Sequence, residues 1–179
     1  MKSNEINIAL NERMQKVVDT LNNLGISFEI HFHPPIPTIE EAMRYWKEFD
    51  STHCKNLFFR NHKGNQHYLV FFECHQQMQI HELEKRLHQG KLTFASPQRM
   101  EKYLGLLPGS VSPFGLINDE THHVKVFIDK ALKEAPKLSF HPNDNTATIV
   151  IDNKDLFIFL DAMGNHYEFV DLFEDEIDQ

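Results

Sequence analysis

The sequence predicts an α+β domain built on a mixed, mostly antiparallel sheet with helices around it. Short segments with a two-residue apolar period alternate with segments of helical period, which mixes strands with helices along the whole chain. Several strand-like segments are joined by turns too short for anything but a hairpin. The 179 residues carry no internal repeat, low-complexity stretch or composition shift that would mark a linker, so one core is expected.

Leu10, Met14, Val17, Val18, Leu21 and Leu24 recur at helical spacing and Gly25 follows, which predicts a helix over 8–24. Ile26 to Phe32 alternates apolar and polar residues as a strand with one wet face does. Pro34, Pro35 and Pro37 enforce an extended connection. Thr38-Ile39-Glu40-Glu41 then reads as a capping box opening a helix with Ala42, Met43, Tyr45, Trp46 and Phe49. Residues 54–60 and 67–72, around the turn Asn61 to Asn65, read as a β-hairpin. Two short helices are expected near Ile80–His88 and Pro97–Tyr103, the second capped by Ser96 with Pro97 in its first turn. Strands are expected over 124–129, 137–141 and 146–151, with Pro142-Asn143-Asp144-Asn145 as a turn. Asn153 is expected to cap a last helix closed near Gly164.

Composition narrows the function. With 41% apolar and 25% charged residues the chain has an ordinary globular balance. No apolar run approaches the ~20 residues of a membrane span, and the polar N-terminus lacks the order of a signal peptide. A cytoplasmic location without membrane contact is the expectation. Cys54 and Cys74 are too few for a disulfide framework and suit a reducing compartment. The net charge of −8 argues against broad nucleic-acid binding while leaving room for a local basic pocket. Five acids among the last nine residues predict a solvated acidic tail over 173–179, after a domain of residues 1–172.

Three features carry possible chemistry. The stretch Pro108-Gly109-Ser110-Val111-Ser112-Pro113-Phe114-Gly115 combines residues that fix or free the backbone, so it has a defined shape and leaves N–H groups unused. Such amides bind an anion or an oxygen becoming one, although the same composition also makes a plain tight connection. Lys55 shares a strand face with Leu57 and Phe59. It either directs its ammonium to the end of the core or snorkels to solvent. His141 ends a strand before Pro142, as a rim imidazole or as a hydrogen-bonded half-buried one. Among twelve histidines, the pairs His31/His33 and His122/His123 and the neighbours His53-Cys54 lack metal-site spacing, so no metal is expected. The signatures of a serine elbow, a P-loop and a dinucleotide fold are missing too, and no cofactor is expected.

Four segments together resemble one family. They are the Lys55 strand with its hairpin partner, Pro108 to Asp119, Phe140 to Thr148, and the run Pro34-Pro35-Ile36-Pro37-Thr38-Ile39-Glu40-Glu41-Ala42. In order and spacing they are similar to the YbaK-type aminoacyl-tRNA editing domains, closest to the freestanding alanyl-tRNA(Pro) deacylases. The resemblance implies a barrel-like YbaK sheet and a trans-editing hydrolase acting on the 3′ acceptor end of tRNA(Pro), either alone or beside prolyl-tRNA synthetase. A proline pocket rejects a smaller amino acid by only ~1–3 kcal/mol, which is why a second, smaller sieve is needed. Carried over residue by residue, the family's catalytic positions match Lys55, Gly109 and His141. Thr38, Asn56, Ser112, Pro113, Phe114, Asn145 and Thr146 match its pocket neighbours. The resemblance further implies that backbone amides of the Gly109–Pro113 element hold the carbonyl oxygen and that the substrate's own 2′-hydroxyl assists the water. Deacylation of cysteinyl or seryl esters, or a non-catalytic module that binds a tRNA 3′ end or a synthetase, are the alternatives.

Overall fold

In a computed structural model of the chain, residues 10–35, 39–46 and 50–174 are described. Helix α1 (Glu12–Asn23) begins where the Asn11 side chain accepts the Met14 amide at 3.0 Å, and it buries Met14, Val17, Val18 and Leu21. Strand β1 (Phe28–Phe32) follows, then α2 (Ile39–Trp46). The predicted capping residue Thr38 lies outside the described residues.

The sheet is mixed. β2 (Thr52–Asn61) and β3 (His67–Glu73) form the predicted hairpin. β6 (Lys137–Phe140) and β7 (Ala147–Asp152) are antiparallel neighbours, and β7 pairs antiparallel with β1. The parallel contacts join β2 to β6, β3 to β5 (Lys125–Asp129) and β5 to β8 (Tyr167–Val170). The strand order is therefore β1-β7-β6-β2-β3-β5-β8, with β4 (Leu92–Phe94) on the second edge of β2. Among the described residues, helices α3 (Ile80–Leu87), α4 (Pro97–Leu104) and α5 (Asn153–Met163) complete the elements of regular structure, with 3₁₀ turns at Pro113–Asn118 and Lys130–Glu134.

Alternation along β2, β3 and β5 sorts the core into two layers. Phe58, Leu69, Phe71, Val126 and Ile128 pack on one face with Phe114, Phe140 and Ile149. Phe59, Tyr68, Val70, Phe72 and Phe127 pack on the other with Leu83, Leu87 and Leu172. A strand covered on both faces needs apolar residues at nearly every position, as His67-Tyr68-Leu69-Val70-Phe71-Phe72 has.

Ser96 caps α4 as predicted, accepting the Arg99 amide at 3.2 Å with Pro97 in the first turn. The cap of α5 is a correction. Asp152 occupies that position without a side-chain bond, and Asn153 is the first helical residue. Its amide donates instead to the carbonyls of Leu132 and Ala135, both at 2.7 Å, which ties the 3₁₀ turn to the helix. Strands β4 and β8 were not foreseen. Three or four residues are too few for a period to register, and β8 is ordered by its parallel partner β5. Phe173, placed by the sequence at the start of the acidic tail, packs edge-on against Phe72 at 5.2 Å between ring centroids.

Candidate active site

β2 is the strand on which the site turns. Its first residues pair with β6, Thr52 with Leu138 and His53 with Ser139, and its last three pair with β4. Residues 54–57 lie between, where the sheet splits and that strand edge has no ladder, and at residue 58 the carbonyl accepts the Ala95 amide at 2.9 Å.

Lys55 and His141 stand at the two lips of the split. The Ser139 hydroxyl and His53 Nδ1 are hydrogen-bonded, so these two side chains share a face. Lys55 follows His53 by two residues and His141 follows Ser139 by two, and alternation puts both on that same face. Lys55 is exposed, and no hydrogen bond or ion pair engages its ammonium among the described residues. It faces the same way as Leu57 and Phe59, at the open end of the second core layer. Asn56 takes the opposite face, across from Phe71, with its Oδ1 buried and without a hydrogen-bond partner. Cys54 also points to that first core layer, away from His53 as the sequence indicated.

The His141 ring is held in one tautomer. Its Nδ1 lies 2.8 Å from the Ala147 carbonyl, which only accepts, so Nδ1 carries the proton and Nε2 of the neutral ring keeps a lone pair. Burial lowers its pKa, and nearby His33 adds to that, against the raising effects of the Ala147 carbonyl and Asp144. The ring is therefore neutral at pH 7.

Sequence reasoning missed His33 as a neighbour and considered it only with His31 for metal. The strand ends at Phe32, and His33 lies beyond it with its ring 6.0 Å from that of His141. Its Nδ1 donates to the Pro34 carbonyl at 2.9 Å and its Nε2 meets the Thr148 hydroxyl at 2.8 Å. Both nitrogens are engaged within the fold.

The Pro/Gly stretch packs against the turn after His141. Asn143 sits at φ +62°, a left-handed conformation asparagine tolerates, and its buried amide donates to the Phe114 carbonyl at 3.2 Å. A Cβ added to Gly109 would lie 3.8 Å from the Asn145 amide nitrogen. Phe114 and Phe140 stack edge-on at 6.0 Å. Asp144 accepts both the Thr146 amide, at 2.9 Å, and its hydroxyl, at 2.5 Å, which closes the turn. An Asn after Pro in a four-residue turn was the available signal for Asn143.

The stretch itself is partly helical. Ser112 caps the 3₁₀ turn, accepting the Phe114 amide on its hydroxyl at 3.1 Å, and Pro113 occupies the first helical position. The Ser110 amide bonds to the Leu107 carbonyl at 3.1 Å, and that of Gly115 to the Ser112 carbonyl at 3.0 Å. The amides of Gly109, Val111 and Ser112 have no acceptor among the described residues. Ser112 is fully buried, and a buried N–H without an acceptor is rare in a folded protein. Gly109 adopts φ +88°, which presents this run in a shape that other residues resist.

The structure thus brings Gly109, Ser112, Pro113, Phe114, His141, Asn145 and Thr146 together, with Lys55 across the split. Asn56 is on the other side of the strand. Thr38 lies outside the described residues. A separate trio, Glu73-Cys74-His75, holds three ligand atoms within 4.8 Å of one another. Burial pushes the Cys74 thiol up to about 12, with Glu73 adding to it, so the sulfur is a poor metal ligand at neutral pH.

With that geometry in hand, likeness to known proteins becomes informative. The family described as "Aminoacyl-tRNA editing domain" matches residues 33–159, which includes every part of the cluster. "Prolyl-tRNA editing protein ProX" of Acetoanaerobium sticklandii is 41% identical over 158 residues, covering 88% of this chain and 96% of that protein. "Prolyl-tRNA synthetase associated domain-containing protein 1" of Mus musculus is 32% identical over 162 residues, covering 88% and 95%. A solved structure described as a proposed trans-editing enzyme for prolyl tRNA synthetase superposes with a TM-score of 0.70 over 90% of this chain and 98% of the other. At 19% identity it speaks for the fold alone.

Proposed function

The chain belongs to the aminoacyl-tRNA editing domain family, and from that membership we propose that it hydrolyses the ester of alanine mischarged on tRNA(Pro). The observation that carries the reading is the run of unpartnered amides at Gly109, Val111 and Ser112, packed against the turn that follows His141. An ester carbonyl oxygen seated on them gains donors for the negative charge it acquires when water attacks. Losing one such donor typically costs about 10²–10³ in rate.

In this mechanism water adds to the carbonyl carbon, and the ester C–O bond to the terminal ribose then breaks. The water's proton passes to the ribose oxygens, with the substrate's free 2′-hydroxyl beside the leaving 3′-oxygen as the relay. No protein nucleophile is required. The Lys55 ammonium meets the phosphate of the terminal adenosine as a charge-assisted donor. The His141 Nε2 lone pair accepts from the α-ammonium of alanine, an interaction open only to the neutral ring. The Asn143 amide on the Phe114 carbonyl and the edge contact of Phe114 with Phe140 make a firm wall beside His141, which supports a small amino-acid site, one that admits alanine and refuses the proline ring.

The test uses Ala-tRNA(Pro) ending in normal and in 2′-deoxy adenosine. Release of alanine from the first, and at least a tenfold slower release from the second, is the expected result. Equal rates would remove the 2′-hydroxyl from the mechanism, and no release from either would remove the activity.

A further inference from the structure

A second functional surface lies at the tip of the β2–β3 hairpin and along α4. Arg60 and Lys63 come from the hairpin, Arg99 and Lys102 from one face of α4 at a spacing of three. The Arg99 guanidinium donates to the Gly64 carbonyl at 2.9 Å, which joins the two elements. The same nitrogen donates to His67 Nε2 at 3.1 Å, which leaves the His67 proton on Nδ1, where it is given to His123 Nε2 at 2.8 Å. Tyr103 lies over both rings, 4.0 Å from His67 and 4.5 Å from His123 between centroids, and the Lys102 ammonium stands 5.2 Å from the Tyr103 ring. The result is a rigid floor of aromatic rings with cations set around it.

None of these four cations takes part in an ion pair among the described residues, in a chain whose net charge is −8. Glu101, two residues from Arg99, lies off their face of the helix. Burial lowers the His67 pKa to about 4, and His123, Arg99, Lys102 and Arg60 all push it the same way, so their fields converge on this spot. A concentration of unpaired positive charge on an acidic protein is maintained against its own repulsion, and a polyanion relieves that repulsion. The helix that carries Arg99 and Lys102 is also joined to the site described above by only four residues, Gly105 to Pro108, before Gly109.

We infer that the Arg60–Lys63–Arg99–Lys102 face docks the phosphate backbone of the tRNA acceptor stem while the 3′ end occupies the site. The identity of the RNA rests on the proposed function, but the docking is measurable without catalysis. Lys63 and Lys102 are exposed and hold no other element in place, so the variant K63Q/K102Q keeps the fold. Fluorescence anisotropy with uncharged tRNA(Pro) across a KCl series reads the outcome.

Wild-type protein is expected to bind with a steep salt dependence. In K63Q/K102Q affinity at low salt should fall about tenfold, and the log–log salt slope should flatten by roughly 1.4–1.8, or 0.7–0.9 per lost phosphate contact. Hydrolysis of alanine from a short CCA-ended oligonucleotide, which does not reach this face, should be unchanged. Unaltered tRNA affinity and salt slope in the variant would overturn the inference, even if binding to polyglutamate fell and thereby assigned the face to an acidic protein. Failure of the catalytic reading looks different: wild-type protein would leave the short ester intact while K63Q/K102Q still lost tRNA affinity.

Discussion

In the proposed mechanism, His141 makes the site depend on protonation at a single residue. Its Ala147 bond leaves a lone pair on Nε2, and burial keeps the ring neutral to lower pH than a free histidine. Hydrolysis should therefore be insensitive to this group at and above pH 7 and should decline as pH falls through its depressed pKa. A pH–rate profile of kcat/KM checks this, and H141Q should lose the corresponding limb. His67 predicts a stability effect of the same sign. Its folded pKa of about 4 is below the ordinary 6.5, so its contribution is complete above pH 6.5 and is lost as pH falls towards 4. The Tm of the wild type should drop across that window and that of H67Q should drop less. Lys55→Ala should slow hydrolysis by roughly 10–100-fold, the equivalent of a charged hydrogen bond of about 1.5–3 kcal/mol, with an unchanged circular dichroism spectrum. Lys55 and His141 were legible in the sequence as a cation at a strand start and an imidazole before a proline. Their common face was not, because it depends on the parallel register of β2 with β6, which pairs residues 86 positions apart. His33 escaped notice because its partner Thr148 is 115 positions away.

At the scale of elements, the proposed role of the stretch around Gly109 belongs to its backbone. Ser110→Ala should change the rate less than about twofold, since its backbone amide, bonded to Leu107, is retained. Gly109→Ala should be costly for a reason the sequence alone does not supply. The space around an added Cβ is open, so the penalty is conformational, about 1–2 kcal/mol for a non-glycine residue at this positive φ, and the amide run shifts with it. Gly115 is the opposite case. A Cβ there would meet Leu106 Cδ1 at 2.8 Å and Leu104 Cβ at 3.1 Å, so Gly115→Ala forces the 3₁₀ turn off the end of α4. Urea unfolding should register a loss of about 1–3 kcal/mol, in the range of core overpacking. The long periodic elements were readable from sequence because their periods repeat. The 3₁₀ turn was not, since proline and glycine at its start look the same in a loop, and its geometry is set by the Ser112 cap and by Asn143 from another turn.

For the whole molecule, one strand serves two half-sheets, and the split between them is where chemistry-bearing residues from distant parts of the chain meet. Its faces are otherwise filled by the two apolar layers. Among the described residues, no helix is long and apolar enough to cross a membrane. The proposed mechanism draws its donors from backbone amides and its relay from the substrate, so EDTA should leave the rate of the purified protein unchanged. The most direct measurement is single-turnover hydrolysis of alanyl-, prolyl-, cysteinyl- and seryl-tRNA(Pro) by the same preparation. Loss of alanine at a rate exceeding that of each of the other three, with the prolyl ester nearly intact, is the predicted result. Prolyl ester loss as fast as alanyl, or faster release of cysteine or serine than of alanine, would contradict it.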